Sequence, residues 1–388
     1  PAHWVRDAEH FEPVVEDFTF DDLFFSTPTE GWIVGNRFLL HSVGDQLDLT
    51  LVNDRKTYLA GVSFPRPSEG WAAGWRDTER MSHEWVLPVT ASEGTLWRYQ
   101  DGKWNVWNTS DLSDAGLLDW QIGAVAFSSP VDGWALGLQG SFIEGKLFPL
   151  LFHFDGTRWQ IDHSMRAEGR LWTFTRLCFD PSGRGWAVGW KWQTPAGRRR
   201  ALVASREDGE WRELQVPQVS EEEEEEVLTH VSCAPGGVVA AGWTSKDPQG
   251  SNGRGVALRY DGSWERLHFP DHMKQYVPQA VSAISTDDFW LALSCVGPNE
   301  SCHPLFLHFG DGRWQEIPPP VLPGGRVSGY SFKAMQFPTR DVGWAIANDY
   351  EGPGLSRGLV FHYKDGVWRN RNWNWHFWHE RWFGLFGR

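Results

Sequence analysis

Seven times along this chain the same short phrase returns, and a chain that repeats itself at a fixed interval can only stack copies of one supersecondary unit. The phrase is plain around Trp32 (Thr-Pro-Thr-Glu-Gly-Trp-Ile-Val-Gly), Trp71 (Arg-Pro-Ser-Glu-Gly-Trp-Ala-Ala-Gly) and Trp134 (Ser-Pro-Val-Asp-Gly-Trp-Ala-Leu-Gly). Trp186 follows in Pro-Ser-Gly-Arg-Gly-Trp-Ala-Val-Gly. The fifth copy has Val239 in the Trp place, and weaker copies centre on Trp290 and Trp344. Each of the last six copies is followed by a second element, Asp-Gly and then Trp, ending on Trp104, Trp159, Trp211, Trp264, Trp314 and Trp368. The first copy keeps only Val43-Gly-Asp-Gln.

Asp-Gly between alternating apolar runs is a hairpin signal, because a type I′ turn needs positive φ at both central residues. The Pro/Gly turn before the first Trp joins two further strands. Each repeat therefore reads as four strands, a to d: an apolar strand a, a Pro/Gly turn, strand b on the Gly-Trp phrase, an alternating strand c, and strand d after Asp-Gly. Four-stranded units at this period predict an all-β fold, a single seven-bladed β-propeller of four-stranded antiparallel blades. The blades are expected near 18–55, 56–109, 117–165, 170–217, 226–270, 278–320 and 327–374. Residues 1–374 thus make the propeller, and 375–388 form an aromatic C-terminal tail. An unpaired edge costs hydrogen bonds, so a strand from 10–25 is expected to close the ring by joining the last blade.

These motifs resemble the bacterial Trp/Asp-Gly propeller repeats of the Ycf48-like, photosystem-II-assembly-factor type, and through them the Asp-box repeats of sialidases. The resemblance covers nearly the whole chain, and it implies blade packing and a binding or assembly role rather than a catalytic one. The order in Phe-Asp-Gly-Thr-Arg-Trp159 departs from the Asp-box order, which weakens the sialidase comparison.

The formal net charge of −14 argues against a duplex-binding protein, whose affinity rests on Lys and Arg displacing counterions, and no nucleic-acid partner is expected. Of the four cysteines, Cys295 and Cys302 flank a turn-rich segment and are the candidate disulfide, which would place the protein in an oxidising compartment. Cys178 and Cys233, at corresponding places in successive repeats, are expected to be buried or free thiols. Export to the periplasm, the cell surface or the medium is the expectation. The acidic run Glu221–Glu226 reads as a solvated linker between blades 4 and 5.

Most residues that look chemical recur in every blade and are read as scaffold: the two sets of Trp, and His153, His308 and His362, which exchange with Arg98 and Arg259 in other blades. No metal ligand set, cofactor motif or catalytic residue is assigned. The long insertions are all b–c loops or d–a linkers, which share one face of the disc, among them Arg76–Gly94, Lys191–Arg200, Thr244–Gly255, Ser294–His303 and Asp349–Arg357. Long loops on one face of a rigid scaffold usually carry recognition. Where strand b leaves for that face the residue varies between blades, and Trp75, Trp190 and Trp243 there form a candidate binding set. Trp375, Trp378 and Trp382 would share one stripe if the tail were helical, suiting a protein partner or a peripheral membrane contact. The reading is a non-enzymatic binding or assembly module that docks a protein through the long-loop face and the tail. An extracellular glycan-binding lectin is the second reading, and a sialidase-like hydrolase the third.

Overall fold

At Asp101-Gly102, Asp208-Gly209, Asp311-Gly312 and Asp365-Gly366 both residues take positive φ, with Asp near 52–55° and Gly between 71° and 85°. These are the type I′ turns that Asp-Gly demands. In blade 3 the turn carries one more residue, and there Asp155 keeps negative φ and instead accepts the amides of Thr157 and Arg158, each at 2.9 Å. A computed structural model describes residues 2–371 except 8–9, 16–18, 37, 45, 53–55, 82–87, 114–115, 118, 142–145, 166–171, 194–197, 218–223, 248–252, 296–302, 323–328 and 351–355.

The chain forms seven four-stranded antiparallel sheets in sequence order, together with a separate hairpin of Ala2–Asp7 and His10–Val15. Blade 3 is typical: strand a is Trp120–Ser129, b Asp132–Ser141, c Lys146–Phe154 and d Trp159–Asp162. The other a strands are Asp22–Phe25, Thr57–Arg66, Trp172–Phe179, Glu225–Ala234, Tyr276–Ser285 and Tyr330–Thr339. Each a strand touches the a strand of the next blade, and the last, in blade 7, touches the first, so the a strands line the axis of a closed ring.

The Gly-Trp-x-x-Gly phrase is a packing device. A Cβ on Gly133 would collide with the Phe127 ring, and one on Gly137 with the Gln121 carbonyl, so both glycines let strand a lie close over strand b. The Trp between them fills the space between blades. Trp32, Trp71, Trp134, Trp186, Trp290 and Trp344 are all buried. Five of them meet the strand-d Trp of the following blade nearly edge to face: Trp32 with Trp104, Trp71 with Trp159, Trp134 with Trp211, Trp186 with Trp264 and Trp290 with Trp368, at centroid distances of 5.2–6.0 Å and angles of 78–88°. Several of these indole N–H groups, among them those of Trp71, Trp159 and Trp186, are buried without a hydrogen-bond acceptor among the described residues.

Every a strand from blade 2 to blade 7 carries a β-bulge at one register position, the extra residue being Ala60, Gly123, Thr175, Thr229, Gln279 or Lys333. In blade 1 the equivalent residue is Asp21, one before the Asp22–Val34 pair. Three residues on, opposite the motif Trp, stands a residue that ties neighbouring blades. Ser232 accepts the Ala283 amide, Ser282 accepts the Phe337 amide and Gln336 accepts the Phe25 amide, at 2.7–2.9 Å.

Three expectations need correction. Cys178 and Cys233 are not free thiols but a disulfide, lying where the Ser tethers lie in the next blades and joining blade 4 to blade 5. The ring is not closed by a shared sheet, since blades 1 and 7 are each built from their own four consecutive strands. Side chains close it instead. The Asn348 amide accepts from Phe20 N at 2.8 Å and donates to Phe20 O at 2.9 Å, and the Gln336 amide does the same to Phe25 at 2.7 and 3.1 Å. Each carboxamide thereby offers the backbone the donor and acceptor that a strand would offer, while Phe25 stacks on Trp344 at 4.5 Å. Third, the run Glu221–Glu226 is no solvated linker throughout: Glu224, Glu225 and Glu226 are buried, the last two in strand a of blade 5. Burial of those carboxylates is tolerable because arginines meet them, Arg199 on Glu225 and Arg266 on Glu226.

Candidate functional site

The long insertions are largely a continuation of the blades. In blade 2, strands b and c run over Glu69–Met81 and Pro88–Gln100, and the ladder from Arg76↔Glu93 to Met81↔Pro88 occupies most of what reads in sequence as a loop. In blade 4, Lys191↔Arg200, Trp192↔Arg199 and Gln193↔Arg198 likewise extend the pairing of strands b (Gly185–Gln193) and c (Arg198–Glu207). Antiparallel pairing places the b–c ends and the starts of the a strands on one face, so this face carries stiff hairpins.

On that face the structure joins two of the three strand-b tryptophans. Trp190 of blade 4 and Trp243 of blade 5 share one guanidinium: Arg199 lies 5.8 Å from the Trp190 ring and 5.0 Å from the Trp243 ring. Arg199 is held from behind by Glu225, which accepts from Nε at 3.0 Å and from Nη2 at 2.7 Å. Trp192 meets Trp190 edge-on at 5.8 Å, and Arg200, also buried, donates to the Glu224 carbonyl at 2.9 Å. The result is a partly exposed aromatic group around a cation whose charge is already balanced. Trp75 is not brought into it and stacks on Tyr58 of its own blade at 5.4 Å. Phe148, on the b–c hairpin of neighbouring blade 3, is 59% exposed.

Trp192, Arg199 and Glu225 are absent from the sequence-derived set. Their signal was present, since Arg198-Arg199-Arg200 and the acidic run carry opposite charge, but pairing across two blades cannot be read from spacing alone. Trp375, Trp378 and Trp382 lie outside the described residues, as does Cys302. Cys295 is disulfide-bonded.

The histidines of strand c work inside the scaffold. His153 stacks on Trp134 at 4.4 Å and reaches Asp132 at 2.8 Å; His308 stacks on Trp290 at 4.3 Å and reaches Asp288 at 2.8 Å. His362 stacks on Trp344 at 4.0 Å. Arg98 takes the same place in blade 2, lying over Trp71 at 5.4 Å and pairing with Glu69. Burial alone would raise Asp132, but hydrogen bonds from His153 and Ser128 and the Arg206 charge hold it down at about 2.

No protein-family model matches the chain, and no curated protein matches its sequence. Among solved structures it is similar to a YCF48 bound to D1 peptide, at 15% identity over 90% of this chain and 92% of that one, with a TM-score of 0.54. It is also similar to YCF48 from Cyanidioschyzon merolae, at 13% identity over 92% and 98% of the two chains, TM-score 0.54. A PL25 ulvan lyase aligns at 10% identity over 92% and 97%, with a TM-score of 0.57. At these identities the likeness is one of fold alone, and the fold is the one the repeats point to: a seven-bladed β-propeller.

Proposed function

We propose that this protein is an exported, non-catalytic binding module that docks a protein partner on the face carrying the b–c hairpins, with Trp190, Trp192, Trp243 and Arg199 at the centre of contact. The observation that carries this reading is the Arg199 bridge between Trp190 and Trp243, braced by Glu225. Trp and Arg dominate the energetics of protein interfaces, and a guanidinium already fixed by a carboxylate loses little freedom on docking. The YCF48 structure that binds a D1 peptide supports a protein or peptide ligand for this fold. The Cys178–Cys233 bond and the bonded state of Cys295 support an oxidising compartment.

The test is a photo-crosslinking side chain at Trp192, introduced in the native host, with Trp190→Ala/Trp243→Ala as the control background. A discrete protein adduct that disappears in the double variant, while that variant remains folded at the assay temperature, supports the reading. Saturable binding to a glycan array that is lost in the same variant would replace the protein partner with a sugar.

A further inference from the structure

The ring of bulges along the axis gathers a second set of side chains. At the bulge position and the residue after it, blade 1 presents Asp21 and Asp22, blade 4 Thr175 and Arg176, blade 5 Thr229 and His230, blade 6 Gln279 and blade 7 Lys333. Blades 2 and 3 present only Ala60, Gly61, Gly123 and Ala124 there. The wall is thus polar over five blades and bare over two, and a Cβ built on Gly123 meets nothing within 4 Å. Space is left between the charged groups of blades 1 and 4, and all eight polar side chains named are partly exposed.

The two cations of this ring differ from six arginines elsewhere in the fold. Arg98, Arg199, Arg206, Arg259, Arg266 and Arg357 each have a carboxylate at ion-pair distance. Among the described residues Arg176 has none: its Nη1 donates to the Thr175 carbonyl at 3.0 Å, a neutral acceptor. Lys333 has neither a hydrogen bond nor an ion pair there, although both cations act electrostatically on Asp21 and on His230. His230 is spoken for at Nδ1 by the Thr229 hydroxyl, at 2.8 Å.

We propose that the bulge ring is a binding site for a small carboxylate, held between the Arg176 guanidinium and the Lys333 ammonium, flanked by Gln279 and His230, with the rest of the ligand over Gly123 and Ala60. A guanidinium fork fits a planar carboxylate bidentately. A monoanion suits the charge better than a dianion. Asp21 and Asp22 also line the ring, so two cations face two acids, and burial biases both acids toward their neutral forms, Asp22 up to about 6. His230 contributes no positive charge near neutrality, because burial and then Arg176 and Lys333 hold it down to about 3. The ring therefore has room for one added negative charge, and the room grows as Asp22 takes up its proton.

Isothermal titration of the full chain at constant ionic strength tests this, with acetate, glucuronate, N-acetylalanine, inorganic phosphate and chloride as probes. Saturable binding of a carboxylate is expected, weakened at least about tenfold by Arg176→Gln or Lys333→Gln, a change of roughly one ion pair in a partly buried site. Binding is expected to tighten about fivefold between about pH 7.5 and about pH 5.5 as Asp22 loses its charge. Asp22→Asn, which keeps an acceptor for the Val62 amide, should bind at the higher pH as tightly as the parent does at the lower. That gain cannot come from misfolding. Preference for glucuronate identifies an acid sugar as the source of the carboxylate, and preference for N-acetylalanine a peptide terminus. No saturable carboxylate binding, phosphate binding tightest, or affinity unchanged in both Arg176→Gln and Lys333→Gln overturns the proposal.

Discussion

Trp134 and Trp190 stand four residues apart in their repeats' shared phrase and do different work. Trp134 is 1% exposed and wedged against Trp211 of the next blade. Trp134→Ala or Trp159→Ala should therefore lower stability by about 3–5 kcal/mol, read as a shift in denaturant midpoint. Trp190→Ala should cost about 1–2 kcal/mol, since its ring is partly exposed and its main polar contact is one shared guanidinium. The axis holds a second residue-scale test. Below the unfolded value of about 6.5 the unfolded chain takes a proton that His230, desolvated at the axis and beside two cations, refuses until about 3, so stability is lost as pH falls through that window. Asp22 has the opposite sign: its folded value of about 6 lies above the unfolded one near 4, so stability is gained as pH falls from about 6 to about 4. Relative to the parent, His230→Gln should therefore gain stability between about pH 6.5 and about pH 4, by at most about 3 kcal/mol, and Asp22→Asn should lose it. Urea midpoints across that range decide both signs.

A shared register of the a strands explains why one position accepts such different chemistry. Cys178, Ser232, Ser282 and Gln336 all stand opposite the b-strand motif position and all tie one blade to the next. The Cys178–Cys233 bond closes a sequence separation of 55, which a chain-entropy treatment values at about 4 kcal/mol. Cys178→Ala/Cys233→Ala should lose much of that in thermal melting. Cys178→Ser/Cys233→Ala should lose about 1 kcal/mol less, because a serine there restores the hydroxyl-to-amide tether seen at Ser232 and Ser282. Melting temperatures of the two double variants that coincide would show that the register is shared without the tether being so. Spacing places Cys178 and Cys233 at corresponding points of consecutive repeats, but only the packing of blade 4 on blade 5 brings those points into bonding range.

For the whole molecule the critical joint is between blades 7 and 1, where two carboxamides replace a shared strand. Asn348→Ala or Gln336→Ala removes two hydrogen bonds from a blade 7 side chain to the blade 1 backbone, at an expected cost of about 2–4 kcal/mol. Hydrogen exchange should rise first in the first strand of blade 1 and in blade 7, with blades 3 to 5 unaffected; uniform exchange round the ring would refute a local joint. The number of blades, the hairpin turns and the scaffold role of the tryptophans and histidines were determined by the sequence itself, because each depends on contacts within one repeat or on a pattern repeated in all. The tertiary structure alone decided the disulfide partner of Cys178, the burial of Glu224, Glu225 and Glu226 against arginines, the joining of Trp190 to Trp243 without Trp75, and the mode of closure. Each of these is a meeting of residues from different blades, and which side chains meet there is set by how the seven sheets rotate round a common axis, a relation that no spacing along the chain encodes.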